Sequence, residues 1–103
     1  HKDINWLMKA YPKCFNRKNP KPLKREIFKD IVLGELWPHS KKRLRQTLGY
    51  YTRSPLYQKA ILQESHRYSL EGEAIQEIRD HEKEYAIELL NITERDKNLD
   101  SSE

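Results

Sequence analysis

Six consecutive residues, Ser40-Lys41-Lys42-Arg43-Leu44-Arg45, put four cations where the pattern predicts that a helix begins. The Ser40 hydroxyl can accept a hydrogen bond from a free backbone N–H of the first turn, which makes Ser40 a strong N-cap. A helix macrodipole disfavours positive side chains at this end, so selection for stability alone would place Asp or Glu here. The arrangement makes sense if an external anion occupies the helix end. Unpaired N–H groups, the hydroxyl and the Lys and Arg side chains would then converge on phosphate oxygens. A capped helix with solvated lysines is the plain alternative, and these residues alone leave both open.

The second signal is aromatic. Tyr50, Tyr51, Tyr57 and Tyr68 are interspersed with Arg45, Arg53, Lys59 and Arg67. Rings can stack on unpaired bases or sugars, and neighbouring cations add charge-assisted bonds to phosphate. Tyr51 shares a helical stripe with Leu44 and Leu48 and is expected in the core. Tyr57, beyond Pro55 and beside polar residues, is expected to face a ligand.

Enzymatic chemistry finds no support. His1, His39, His66 and His81 are scattered without metal-ligand spacing, and one cysteine cannot complete a Cys-rich zinc site. The sequence has no phosphate-cradling Gly-rich loop and no nucleophile elbow. Cys14, beside Phe15, reads as a small buried hydrophobe, and Trp6 and Trp37 as core or lid residues. The expectation is a protein without catalytic residues, metal or cofactor.

The field around these residues is strongly one-sided. Residues 1–67 hold sixteen Lys and Arg against five acids, a net +11, whereas residues 68–103 hold four bases against eleven acids, a net −7. Such a segment attracts polyanions. With 103 residues, of which 36% are apolar and 35% charged, the chain supports one modest core. One domain is expected over residues 1–97, with 98–103 a flexible tail too poor in apolar residues to pack. No apolar run approaches the roughly 20 residues that cross a bilayer. The lone cysteine excludes an internal disulfide and favours a reducing, cytoplasmic setting.

The elements that must position the site follow from periodicity and punctuation. Asp3 is placed to cap a first helix through Ala10, with Ile4, Leu7, Met8 and Tyr11 facing inward and Pro12 ending it. Pro22 suits the first turn of a second helix carrying Leu23, Ile27, Phe28, Ile31 and Val32, stopped by Gly34. The third helix starts after Ser40 and carries Leu44, Leu48 and Tyr51, with Lys41, Lys42 and Arg45 off that stripe; Gly49 inside it costs about 1 kcal/mol relative to alanine. Leu56 to Leu62 form a short fourth helix with Leu56, Ala60 and Ile61 inward. Arg67–Leu70 and Glu73–Ile78 read as two strands around Glu71-Gly72. A last helix runs from Arg79 or Asp80 to about Lys97, with Ala86, Leu89, Leu90 and Thr93 near one face. The fold class is mainly α with a small β-hairpin, α+β and compact.

The order of motifs then becomes specific: Tyr11-Pro12-Lys13-Cys14-Phe15; Lys21-Pro22-Leu23-Lys24 with Ile27-Phe28 and Asp30; Leu44-Arg45 through Leu48; Tyr51-Thr52 and Ser54; Tyr57; and Arg67 with Leu70 and Gly72. This set resembles the ProQ/FinO domain of bacterial RNA chaperones over roughly residues 4–95. The chain departs from the family pattern at Gln63-Glu64-Ser65-His66, where a glycine is usual, and at Ser69, usually acidic.

The resemblance implies a non-enzymatic, monomeric RNA-binding domain with no membrane association. Its ligands would be structured RNAs, notably intrinsic terminator hairpins of small RNAs and messages with a single-stranded 3′ uridine tail, bound for post-transcriptional regulation. It implies that the base of the RNA stem meets Ser40, Lys41 and Lys42, with Arg45 on the same face. It further implies that Tyr57 and Arg67 lie in a pocket near the RNA 3′ end, with Lys24 contributing from the second helix. The competing classes are a protein-interaction module using the acidic last helix, and a helical DNA reader placing the third helix in a major groove.

Overall fold

The computed structural model describes the backbone of residues 1–101 and the side chains of residues 1–92. The elements in chain order are α1 (Lys2–Ala10), α2 (Ile27–Leu33), α3 (Lys41–Thr52), α4 (Pro55–Gln63), β1 (His66–Tyr68), β2 (Ala74–Glu77) and α5 (Asp80–Ser101). The mainly helical α+β class is therefore the one expected. α3 crosses the middle, and its buried Leu44, Leu48 and Tyr51 meet Ile4 and Leu7 of α1, Ile27 and Ile31 of α2 and Phe15 from the intervening loop. α5 packs along α4 with Ala86 fully buried. Cys14 is in the core, and burial pushes its thiol up to about 12, so it packs as a small apolar group.

Each helix start is recognisable in the chain, but two differ from expectation. His1 Nδ1, not Asp3, accepts from the backbone at the start of α1, through the Asp3 N–H at 3.3 Å. Asp3 is instead buried within the first turn, where it receives a two-pronged contact from Arg43 of α3, Nε to Oδ2 at 2.7 Å and Nη2 to Oδ1 at 2.8 Å. The second helix starts at Ile27 rather than at Pro22. The intervening residues are claimed by the hairpin: Tyr68 donates to the Pro22 carbonyl at 2.8 Å, and the Lys24 N–H donates to the Tyr68 carbonyl at 2.9 Å. Leu23 thereby forms a parallel bridge with Tyr68, an extended geometry for which the fixed φ of Pro22 is suited.

α2 ends at Gly34 as expected, although Gly34 itself is right-handed and the positive φ of 58° falls on Glu35. α4 buries Ala60 and Ile61 as expected, but Tyr57 points inward in place of Leu56, which is 49% exposed. Pro55 at the first helical position, capped by Ser54 accepting from the Tyr57 N–H, fixes this phase.

The hairpin forms where the sequence puts it, with His66 opposite Glu77, Arg67 opposite Gln76 and a bulge between Arg67 and Tyr68. Ser69 is buried, and its hydroxyl accepts from the Glu73 N–H, so its hydroxyl helps to close the turn. Gly72 has φ +83°, and a Cβ there would lie 3.0 Å from the Lys13 carbonyl oxygen and Cβ. α5 continues past Lys97 to Ser101. The inward placement of Thr93 and the packing of the tail fall outside the described side chains.

One carboxylate ties α5 to the rest. Glu82 Oε1 accepts from Arg25 Nη2 at 2.8 Å and from the Arg79 N–H at 2.8 Å, and Glu82 Oε2 accepts from Arg67 Nη2 and from Arg25 Nε. Burial pushes this carboxyl up, but the hydrogen bonds from Arg25, Arg79 and Arg67 outweigh it and hold it at about 2 instead of its ordinary 4.5. Asp3 is also held low, chiefly by its hydrogen bonds from Arg43, against the opposing effect of burial.

Two outcomes follow for stability. Gly72→Ala combines left-handed strain with a close approach to Lys13 and should cost about 2 kcal/mol, read from urea denaturation. Glu82 is depressed on folding, so its contribution is complete above about pH 4.5 and disappears as pH falls toward about 2. Glu82→Gln should therefore lose about 3 kcal/mol at pH 7, because two partly buried guanidinium groups lose their counter-ion. Its melting temperature should fall less steeply than that of wild type between pH 4.5 and 2, and parallel curves would remove Glu82 from the acid transition.

Candidate nucleic-acid interface

The start of α3 is held before any ligand arrives. Ser40 Oγ accepts from the Arg43 N–H at 3.1 Å, and the Ser40 carbonyl receives the Leu44 N–H at 3.1 Å and the Trp37 indole N–H at 3.0 Å. Trp37 in turn packs edge-on against Trp6 and His39. The four cations of the sequence motif divide into two kinds. Arg43, although itself exposed, is bound to Asp3, whereas the equally exposed Lys41, Lys42 and Arg45 pair with no carboxylate among the described residues. The N–H groups of Lys41 and Lys42 lie at the open end beside them.

Arg45 leads from this end to a cleft. Its guanidinium lies over the ring of Phe28, 4.6 Å from the centroid. Phe28 lines a cleft of about 240 Å³ together with Leu23, Lys24, Arg25, Ile27, Leu48, Gly49, Thr52, Tyr57 and Arg67. Lys24, Tyr57 and Arg67, distant in sequence, thus share one wall. Lys41, Arg45 and Gly49 follow one another at intervals of four residues on α3, a line of roughly 12 Å from the helix start to the cleft.

Each of the three predicted cleft residues is already engaged. Lys24 Nζ reaches Asp30 Oδ2 at 2.7 Å, and this hydrogen bond raises its pKa. Tyr57 is only 4% exposed, so its ring is core rather than the free platform its polar neighbours suggested. Its hydroxyl accepts from the Leu23 N–H at 3.0 Å at the edge of the cleft. Burial raises its pKa, opposed by the Leu23 N–H and by the Arg67 guanidinium. Arg67 donates from Nη1 to the Leu23 carbonyl at 2.8 Å and from Nη2 to Glu82, while its buried Nε has no hydrogen-bond partner among the described residues. Tyr51 is core as expected, its hydroxyl exchanging hydrogen bonds with the Asn16 backbone.

Sequence reasoning missed Phe28 as the support for Arg45, and it missed Arg25 and Thr52 in the cleft wall. Phe28 sits on the apolar stripe of α2, and nothing in its spacing distinguishes a half-exposed edge position from a core one. A second cleft, lined by Thr52, Tyr57, Gln58, Ile61, Arg67, His81, Glu82 and Tyr85, shares Thr52, Tyr57 and Arg67 with the first. Among the described residues no group of His, Cys, Asp and Glu could hold a metal ion, and no helix is long and apolar enough to cross a membrane.

Comparison with known proteins bears on the family and the fold. The model of the ProQ/FINO family matches residues 1–102. The chain is 37% identical over 86 residues to the RNA chaperone ProQ of Pseudoalteromonas atlantica, covering 81% of this chain and 38% of that protein. It is 40% identical over 88 residues to the RNA chaperone ProQ of Alteromonas mediterranea, covering 79% and 40%. The chain thus spans about two fifths of the length of these relatives. Among solved structures, a ProQ homolog from Legionella pneumophila superposes with a TM-score of 0.69 at 30% identity, over 84% of this chain and 76% of that one. A FinO-like RNA chaperone from Neisseria meningitidis shares the fold, with a TM-score of 0.70 at 20% identity over 97% and 84%. With the family model matched over nearly its whole length, the chain belongs to the ProQ/FinO family.

Proposed function

We propose that this chain binds structured RNA as part of an RNA chaperone, a non-enzymatic role. Its ligand is a terminator-like hairpin whose stem base meets Ser40, Lys41, Lys42 and Arg45, and whose single-stranded 3′ tail enters the cleft of Lys24, Tyr57 and Arg67. The observation that carries this reading is the division of labour at the start of α3. Arg43 is spent on Asp3, and this leaves three exposed cations around a rigid helix N-terminus that stability alone does not require. The relatives named RNA chaperones support the ligand class.

A stem met at its backbone is read by shape and charge, since the A-form major groove is too deep and narrow for side chains. Selectivity among stem sequences is therefore modest, and discrimination rests on the junction between stem and tail. This favours RNA over a reading in which α3 enters a DNA major groove.

Two measurements test the proposal. If about six phosphates are neutralised, affinity for a tailed hairpin should fall with salt at a log-log slope of about −4 to −5. Lys41→Ala, Lys42→Ala and Arg45→Ala should each shallow that slope by about 0.7–0.9 and leave the melting temperature near wild type. Equal affinity for duplex DNA of the same length would sink the RNA assignment. For the cleft, Tyr57→Phe is the informative change, because Tyr57→Ala should cost about 3–5 kcal/mol through loss of a core ring. Tyr57→Phe should keep the fold at a cost of about 1 kcal/mol and weaken binding of the tailed hairpin more than that of the same hairpin without its tail.

A further inference from the structure

The identity of Gly49 in α3 is not explained by the fold. Its backbone is helical, and the nearest atoms to a Cβ added there would be those of the Arg53 guanidinium, at 3.5 Å from Nη1 and 3.7 Å from Cζ and Nη2. These are ordinary contact distances, so alanine would fit, and a glycine inside a helix is the less stable choice. Gly49 also lines the cleft of Lys24, Tyr57 and Arg67.

Arg53 is the C-cap residue of α3 and is exposed. Its guanidinium nevertheless folds back one helical turn and lies over Gly49, the position from which a longer side chain would displace it. No carboxylate pairs with it among the described residues. Arg45 stands one turn on the other side of Gly49, held over Phe28. The bare backbone at Gly49 is thus a notch in the helix surface, between two unpaired guanidinium groups and open to the cleft.

We infer that Arg53 is a phosphate-binding residue at the mouth of the cleft, and that Gly49 positions it by leaving the helix surface bare beneath its guanidinium. The ligand is a phosphodiester of the unpaired strand, just before the nucleotide that enters the cleft. This rests on the proposed RNA reading and adds to it a residue one turn beyond Arg45. A plain alternative is that Arg53 serves only the C-terminal dipole of α3.

The experiment compares a hairpin with a single-stranded 3′ tail and the same hairpin without it, over a salt series, for wild type and for Lys41→Ala, Arg53→Ala, Arg53→Lys and Gly49→Gln. Arg53→Ala is expected to weaken the tailed hairpin about 5- to 10-fold and to shallow its salt slope by about 0.7, the single-strand value for one phosphate. The tailless hairpin should be affected less than 2-fold, roughly the limit of such a measurement. Arg53→Lys should recover most of the slope. Gly49→Gln, whose longer side chain takes the space beneath the Arg53 guanidinium, should raise the melting temperature by about 3–6 °C through helix propensity and yet weaken the tailed hairpin, a combination that a structural role does not produce. If Arg53→Ala lowers the melting temperature and leaves both affinities alone, or weakens both RNAs equally, the inference is wrong. If wild type binds neither RNA, or Lys41→Ala has no effect, the failure belongs to the RNA reading itself.

Discussion

The Glu82 carboxylate is the interaction on which the cleft depends. It gathers three parts of the chain that no hydrophobic contact would bring into such exact register: Arg25 ahead of α2, Arg67 on β1 and the backbone N–H of Arg79 at the start of α5. Two guanidinium groups brought this close to each other without an anion would repel and would be poorly solvated. With Glu82 between them they become fixed donors, and Arg67 can project along the cleft wall with its Nη1 on the Leu23 carbonyl. The hairpin, the extended Leu23 segment and α5 are thus locked together by charge-assisted hydrogen bonds in addition to the burial of Leu23, Ile78 and Ala86, as suits a domain with few apolar residues.

The Asp3 and Arg43 pair does the same at the other end of α3. It takes one cation out of the Ser40 cluster and ties α1 to α3, with Thr47 adding a third hydrogen bond to the carboxylate at 3.3 Å. The consequence is electrostatic as well as structural. Lys24, Arg25, Arg43 and Arg67 are each paired with an acid among the described residues, so the basic excess of residues 1–67 resides on the cations left facing solvent. Long-range attraction and local architecture are handled by different side chains, although both are drawn from the same residue types.

Much of this was legible in the chain because local rules and tertiary packing agree. Ser40 caps α3, Tyr51 follows Leu44 and Leu48 into the core, and Gly72 takes the turn between the two strands. The errors occur where a tertiary partner overrides a local preference. Asp3 is an excellent cap in isolation but faces Arg43, forty residues away. Pro22 and Leu23 fit a helical first turn, yet the free edge of Tyr68 draws them into an extended bridge. Tyr57 sits among polar neighbours in sequence, whereas the proline one residue before Leu56 sets a helical phase that turns Tyr57 inward and Leu56 outward. The cleft itself could be listed residue by residue only through the resemblance, because Lys24, Tyr57 and Arg67 are joined by a loop, a helix and a strand whose relative placement no periodicity encodes.

The burial of Tyr57 changes what its place in the cleft means. A ring this enclosed cannot offer a face to a base, but its hydroxyl, set between the Leu23 N–H and the Arg67 guanidinium, fixes the shape and polarity of the cleft edge. On the proposed RNA reading stacking would have to come from elsewhere, since Phe28 is already covered by Arg45. What the cleft would then offer a nucleotide is chiefly charge and hydrogen-bond donors, from Lys24, Arg67 and the guanidinium groups near Gly49. Under that reading such a site would favour the sugar and phosphate of a strand over the identity of its base. Contact of that kind would let one domain hold many RNAs that share a shape while differing in sequence.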